Sequence, residues 1–323
     1  MAAESRIVTI IGGTGFIGRH LTNRLTDAGW RVRIPTRHPQ RHRDLGIAGG
    51  VEVVRGDVND AGTLRAVVDG SDAVVNLVGI LNERGHDGSG FRAAHVDLAR
   101  GVVAACNEAG VPRLLHMSAL NADAEKGPSH YLRTKGEGEA AVHAEAGPGL
   151  AVTSFRPSVV FGPGDSFFTR FAGLLRLTPA VFPLACAWSR FAPLYVGDLV
   201  AAMHIALEEK ATFGEGYDLC GPAAYTLDEL VEYTAQVLGL RRRIWALPDG
   251  LARLQANLME YVPGKPFSRD NYLSCQVDGI CLAPFPAVFG LHPRSVEAEV
   301  PRYLTLASRR GHYERYRRTA GRA

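Results

Sequence analysis

The stretch that most constrains this chain runs from Ile7 to Gly18, as Ile-Val-Thr-Ile-Ile-Gly-Gly-Thr-Gly-Phe-Ile-Gly. An unbroken β-branched run predicts a strand buried on both faces, as in parallel sheets. It breaks at Gly12, Gly13, Thr14 and Gly15, and Phe16, Ile17, Gly18 and Arg19 then open a segment of helical periodicity. Strand, tight turn and helix N-terminus in that order make an anion site. The glycines let the backbone approach a pyrophosphate, Gly18 lets the helix lie close to the strand, and the free first-turn amides face the phosphates. Glycines alone would suit a plain βα turn. The flanking strand and helix point instead to a bound dinucleotide.

The same alternation continues. Residues 31–36, 51–55, 73–78, 113–117 and 151–155 read as strands, with Pro35 at a strand end. Residues 62–68, 96–109 and 131–144 read as helices. Repeated β-α units predict an α/β fold, a Rossmann-type doubly wound parallel sheet with ligand at the carboxyl ends of its strands. After Arg156-Pro157 the texture changes, and 161–193 is rich in Phe, Leu and Pro. That region would supply an apolar wall to a substrate site, or simply core. Asp198 reads as a helix N-cap, Tyr217 to Leu219 as a strand, and Thr226 to Glu229 as a capping box opening a helix to Leu238. The expected division is a dinucleotide-binding Rossmann domain over 1–160 and a smaller C-terminal substrate-side lobe with a basic tail over 161–323. Residues 196–220 return to the Rossmann core.

An apolar fraction of 46% and a charged fraction of 21% are those of a soluble globular protein. With no run long enough to cross a bilayer and no signal pattern at the start, the expected location is cytoplasmic, with a peripheral place on the inner face of the membrane also open. Cys106, Cys186, Cys220, Cys275 and Cys281 contain no Cys-x-x-Cys pair, which suggests a reducing compartment and no structural zinc. The histidines show no metal-ligand spacing, so no metal is expected. The net charge of +3 hides an asymmetry: from Pro301 onward seven arginines face one glutamate, a net +6 against −3 for the rest. That tail is either a solvated end or a patch for an anionic membrane surface or an acidic partner. No recognition motif accompanies the charge, so nucleic acid is not expected.

The second strong signal is Tyr131-Leu132-Arg133-Thr134-Lys135. Positions four apart share a helix face, so phenol and ammonium can meet. A nearby cation favours the phenolate and makes Tyr131 a better proton donor and acceptor, while Lys135 can hold the nicotinamide ribose. The chain has only four lysines among its 36 basic side chains, and one of them stands here. A surface helical pair is the plainer alternative.

With these residues in hand, the chain resembles the extended short-chain dehydrogenase/reductase family over nearly its full length. Gly12/Gly15/Gly18, Gly56-Asp57-Val58, Asn76, Tyr131/Lys135 and the run Arg156-Pro157-Ser158-Val159-Val160-Phe161-Gly162-Pro163-Gly164 carry the likeness. It implies Asp57 at the adenine with Val58 beside it, Asn76 along the cofactor, and Pro157 and Val159 bordering the nicotinamide. His116 to Leu120, Phe167 to Phe171, Leu194 to Asp198 and Phe267 to Tyr272 resemble a branch of atypical members similar to the alpha-subcomplex subunit 9 of mitochondrial complex I. That branch includes relatives linked to ubiquinone metabolism, and its mitochondrial member is held to be a structural subunit with bound NADPH. Two departures stand out. The family's Ser/Thr cluster after the fifth strand is reduced to Ser118, followed by Ala119. The helix asparagine that often completes the catalytic set has no match, and Asp97 lies in its region.

Cofactor choice is read after the second strand, at Pro35-Thr36-Arg37-His38. No acid is there to bond a ribose 2′-hydroxyl, whereas Arg37, helped by Arg19, suits the 2′-phosphate of NADP(H) over NAD(H). The resulting expectation is an NADP(H)-dependent oxidoreductase on an apolar carbonyl or a quinone- or isoprenoid-related substrate. Tyr131 is the acid/base, Lys135 its tuner and Ser118 the carbonyl polariser. The rival is a cofactor-stabilised structural or assembly protein of respiratory complex I or ubiquinone biosynthesis. A nucleotide-sugar epimerase or dehydratase is a weaker third reading.

Overall fold

The structure, a computed structural model, describes residues 6–47, 49–263 and 265–304. The chain divides into two compact units, one of 1–157, 196–219 and 281–291, the other of 158–195, 220–280 and 292–323.

The first unit is built on one sheet. Its strands are β1 (Ile7–Ile11), β2 (Arg31–Thr36), β3 (Val51–Arg55), β4 (Ala73–Asn76), β5 (Arg113–Met117), β6 (Ala151–Pro157) and β7 (Gly216–Leu219). They lie in the order β7-β6-β5-β4-β1-β2-β3, every neighbour parallel. The order reverses between β1 and β4, the switch point at which doubly wound sheets hold ligands. The helices are α1 (Phe16–Asp27), α2 (Ala61–Val68), α3 (Ser89–Arg92), α4 (Leu98–Ala109), α5 (His130–Ala144) and α6 (Val196–Ala206). Val68, Val74, Val102, Val103, Cys106, Leu114 and Val152 form one interior beneath α2 and α4, and α1 packs on α6. Burial of such aliphatic area is the main stabilising force.

Three local expectations change. β4 ends at Asn76 rather than 78, because the Asn76 Oδ1 accepts the Val78 amide (3.2 Å) and turns the chain. The helix expected over 96–109 starts earlier: α3 and a π-helical turn at Ala93–Asp97 precede α4, and residues 96 and 97 belong to that turn. Asp198 is not an N-cap; α6 starts at Val196, and Asp198 lies buried in its first turn, where the helix dipole favours an acid. Cys106, Cys186 and Cys275 are free thiols.

The second unit has no large sheet. Val160–Phe161 pairs with Leu194–Tyr195, Val181–Leu184 with Arg243–Ala246, and Arg190–Phe191 with Tyr225–Thr226. Helices cover Phe168–Leu177, Leu227–Val237, Asp249–Met259 and Arg269–Ser274. The capping box at Thr226 is present, with the Glu229 carboxylate accepting the Thr226 amide at 2.7 Å. Phe161, Phe168, Leu175, Phe182 and Leu184 are interior to this unit, so the Phe/Leu-rich region is core. The Tyr303 hydroxyl donates to Asp165 Oδ2 (2.6 Å), whose carboxylate also accepts the Gly162 and Thr169 amides. Of the basic tail, Arg302 pairs with Glu299 and the rest, from residue 305, lies outside the described residues. No described helix is long and apolar enough to cross a membrane.

Candidate active site

The glycine turn connects β1 to α1 as a cradle. Gly12 has φ +85°, and a Cβ on Gly18 would stand 2.5 Å from the Gly13 Cα, so helix and turn meet only because both are bare. Gly15 is the N-cap of α1 and brings no side-chain oxygen, and the first turn holds no acid. The amides of Phe16, Ile17 and Gly18 therefore have no side-chain competitor for an anion. These residues fit a pyrophosphate, and Thr14 completes the turn.

Arg37 follows β2, exposed and with no partner among the described residues. Arg19 is placed differently from expectation. Its guanidinium pairs with Asp44, lies 3.3 Å from His42 Nδ1 and donates to the Thr14 carbonyl, so a local ion pair holds it. Asp57 is exposed after β3, with Oδ1 accepting from the Asn59 amide and side chain. Val58 packs on the α2/α4 interior. Asn76 is buried at the end of β4, with Nδ2 3.4 Å from His116 Nδ1. Pro157 ends β6 in the first unit, whereas Val159 belongs to the second.

Ser129 caps α5 by accepting the Leu132 amide (3.1 Å), which sets Tyr131 in the first turn and Lys135 one turn on. Lys135 is buried, its Nζ donating to the Met117 carbonyl (2.9 Å) and more weakly to that of Val78 (3.5 Å). It therefore ties α5 to the ends of β4 and β5. Burial pushes its pKa down to about 8, against the opposing pull of Glu139. Ser118 is buried just after β5, and its Oγ has no hydrogen-bond partner among the described residues, as is true of His116 Nε2. A buried hydroxyl without a partner is costly unless a ligand completes it.

His95 is the residue that motif spacing missed. It sits in the π-helical turn with its ring edge-on to Tyr131 at 5.5 Å between centroids. Its Nε2 accepts the Ile80 amide (3.1 Å), so the ring proton is on Nδ1, which donates to Thr134 Oγ1 (2.9 Å). Thr134 in turn donates to the His130 carbonyl (2.7 Å). Burial, with Lys135 and His116 adding repulsion, pushes the His95 pKa down to about 2. His116 is likewise held neutral, at about 3, by burial first and then Lys135 and His143. His95 lies two residues before Asp97, in the region where the family asparagine was sought. The available signal was the pair Gly136 and Gly138 inside a helix, where glycine is unfavourable. A Cβ on Gly138 would stand 2.1 Å from the His95 carbonyl oxygen, so this glycine lets α5 touch the π turn. Among the described residues no cluster could hold a metal ion.

The family model for "NAD dependent epimerase/dehydratase family" matches residues 8–220. The chain belongs to the NAD-dependent epimerase/dehydratase family. It is thereby a nicotinamide-dinucleotide protein of the extended short-chain dehydrogenase/reductase type and stands among NAD(P)-dependent oxidoreductases. It is 34% identical over 257 residues to a ceramide reductase of Caulobacter vibrioides, covering 77% of this chain and 76% of that one. It is 32% identical over 303 residues to the mitochondrial NADH dehydrogenase [ubiquinone] 1 alpha subcomplex subunit 9 of Mus musculus, covering 90% and 78%. MoeE5, solved with UDP-glucuronic acid and NAD, superposes with a TM-score of 0.70 at 22% identity over 94% of this chain and 99% of that one, a likeness of fold alone.

Proposed function

We propose that this family member is an NADP(H)-dependent reductase of an apolar carbonyl compound. The observation that carries the reading is the buried, unpartnered Ser118 hydroxyl on the same unit as Tyr131, Lys135 and neutral His95. When bound, the nicotinamide supplies a hydride to the carbonyl carbon. Ser118 Oγ–H donates to the carbonyl oxygen and favours the charge that develops there. The Tyr131 hydroxyl gives its proton to that oxygen, leaving a phenolate. Lys135, an ammonium below about pH 8, stabilises the phenolate and donates to ribose hydroxyls. His95 packs against the Tyr131 ring and holds its orientation. The turn from Gly12 to Gly18 takes the pyrophosphate, Asp57 and Val58 the adenine side, and Asn76 and Pro157 the nicotinamide side. With Arg19 engaged by Asp44, Arg37 is left as the cation for a 2′-phosphate.

The ceramide reductase relative supports a lipid-like substrate, and quinone- or isoprenoid-type carbonyls share its apolar character. Calorimetry with NADPH and NADH, followed by turnover on ceramide-type, quinone and nucleotide-sugar compounds, tests the reading. NADPH should bind about tenfold or more tightly. An NADH preference, or turnover of nucleotide sugars only, overturns it.

The subunit 9 likeness over 90% of the chain favours a second reading, a cofactor-stapled structural protein of a respiratory or quinone-biosynthetic complex. Tight NADPH binding without turnover on any carbonyl class selects it. In either case the basic tail suits a peripheral position on the inner face of a membrane or on an acidic partner.

A further inference from the structure

The helix Asp249–Met259 is amphipathic with its faces exchanged. It buries Ala252 (0% exposed) and Ala256 (1%) against its own unit, in a cluster with Cys186, Leu247 and Tyr272. It turns Leu251 (43% exposed), Leu254 (50%) and Leu258 (65%) outward. Positions 251, 254 and 258 fall within about 60° on a helical projection, while 252 and 256 lie on another side. Tyr261 and Val262, just beyond the helix, are also exposed, and so is Trp245 just before it. Leucines facing water beside buried alanines are the reverse of what a free surface helix needs.

The charge along this segment selects the partner. From Arg241 to Arg269 the chain carries six cations (Arg241, Arg242, Arg243, Arg253, Lys265, Arg269) against Asp249 and Glu260, a net +4. The Arg241 and Arg243 side chains are exposed with no partner among the described residues, and Arg243 and Trp245, two apart, share one exposed face of their strand. Leucine insertion, a flanking Trp and Tyr, and a basic rim are the requirements of a helix lying in the interface of an anionic bilayer. An acidic protein face would need the cations but would not need three aligned leucines.

We infer that the Leu251/Leu254/Leu258 face, with the exposed Arg241, Arg243 and Trp245 just before it in the chain, is a membrane-docking surface for anionic lipid. It involves none of the residues of the basic tail and does not depend on the catalytic reading. The full chain is sedimented with vesicles of phosphatidylcholine alone or with phosphatidylglycerol, at low and high salt. The expected result is binding to the anionic vesicles that salt weakens but does not abolish, because the apolar insertion persists. The double variant Leu254→Lys, Leu258→Lys adds positive charge, so any purely electrostatic binding should hold or rise. Its high-salt partition should instead fall by about tenfold or more. NADPH affinity and the melting temperature report that the variant is folded. Equal high-salt partition of wild type and variant overturns the inference. So does a wild-type dimer that the substitutions dissociate while vesicle binding stays absent, which would assign the face to a second copy.

Discussion

The two units use apolar residues in opposite ways. The first puts short aliphatic side chains on regular positions of one parallel sheet and its covering helices, and leaves few large ones outside. The second has three two-stranded pairs, an interior rich in Phe and Tyr, and ten of the fourteen large exposed hydrophobics among the described residues. A seven-stranded sheet satisfies its own backbone and sets its periodicity. Pairs of two strands cannot, so side-chain packing decides the second unit. The contrast separates a unit shaped to hold a dinucleotide from one whose surface is open to partners.

The largest expected effect tests whether chemistry belongs to the first unit. Tyr131→Phe keeps the ring packed on His95 and removes only the acidic hydroxyl, so carbonyl reduction should fall by about 10²–10⁴. NADPH affinity should change little. Steady-state rates and calorimetry on the same preparation check both parts. Wild-type rate should also drop as pH rises through about 8, where Lys135 loses its proton. A normal rate in the variant would remove Tyr131 from the mechanism.

The next change probes the second unit alone. Tyr303→Phe leaves the buried Asp165 carboxylate without its hydroxyl donor. Loss of a hydrogen bond to a buried charge costs about 1.5–3 kcal/mol. Denaturant unfolding should show that loss, with NADPH affinity held within about twofold by the intact first unit. A parallel loss of cofactor affinity would mean that the units do not act separately.

Arg37→Glu returns to the first unit with a smaller effect. Replacing an exposed cation by an anion should weaken NADPH binding on the order of tenfold and leave NADH nearly unchanged. Calorimetry showing equal losses for both cofactors would break the assignment of Arg37 to the 2′-phosphate.

The smallest expected effect is on the tail. Truncation after Leu306 should leave the melting temperature and cofactor binding in place, since Tyr303 and Leu304 remain packed. Low-salt binding to anionic vesicles should fall only a few-fold, the loss of about 1 kcal/mol expected when one tail cation reaches the surface. Unchanged co-sedimentation would make the tail a solvated end.

The sequence by itself determined the βα alternation, the glycine cradle, the Tyr131/Lys135 spacing and the absence of an acid beside Arg37. These are local: strand period, turn chemistry and helix register are set by residues a few positions apart. Only tertiary structure decided where long-range partners fall. The Asp44 pairing of Arg19 joins residues 25 apart, and the packing of Gly138 on His95 joins residues 43 apart. The same holds for 161–193, where composition alone could not separate a substrate wall from core. Burial of leucine or phenylalanine is a property of what packs against it. That also explains why the helix at Asp249–Met259 could hide its alanines and expose its leucines without any sign in its pattern of apolar residues.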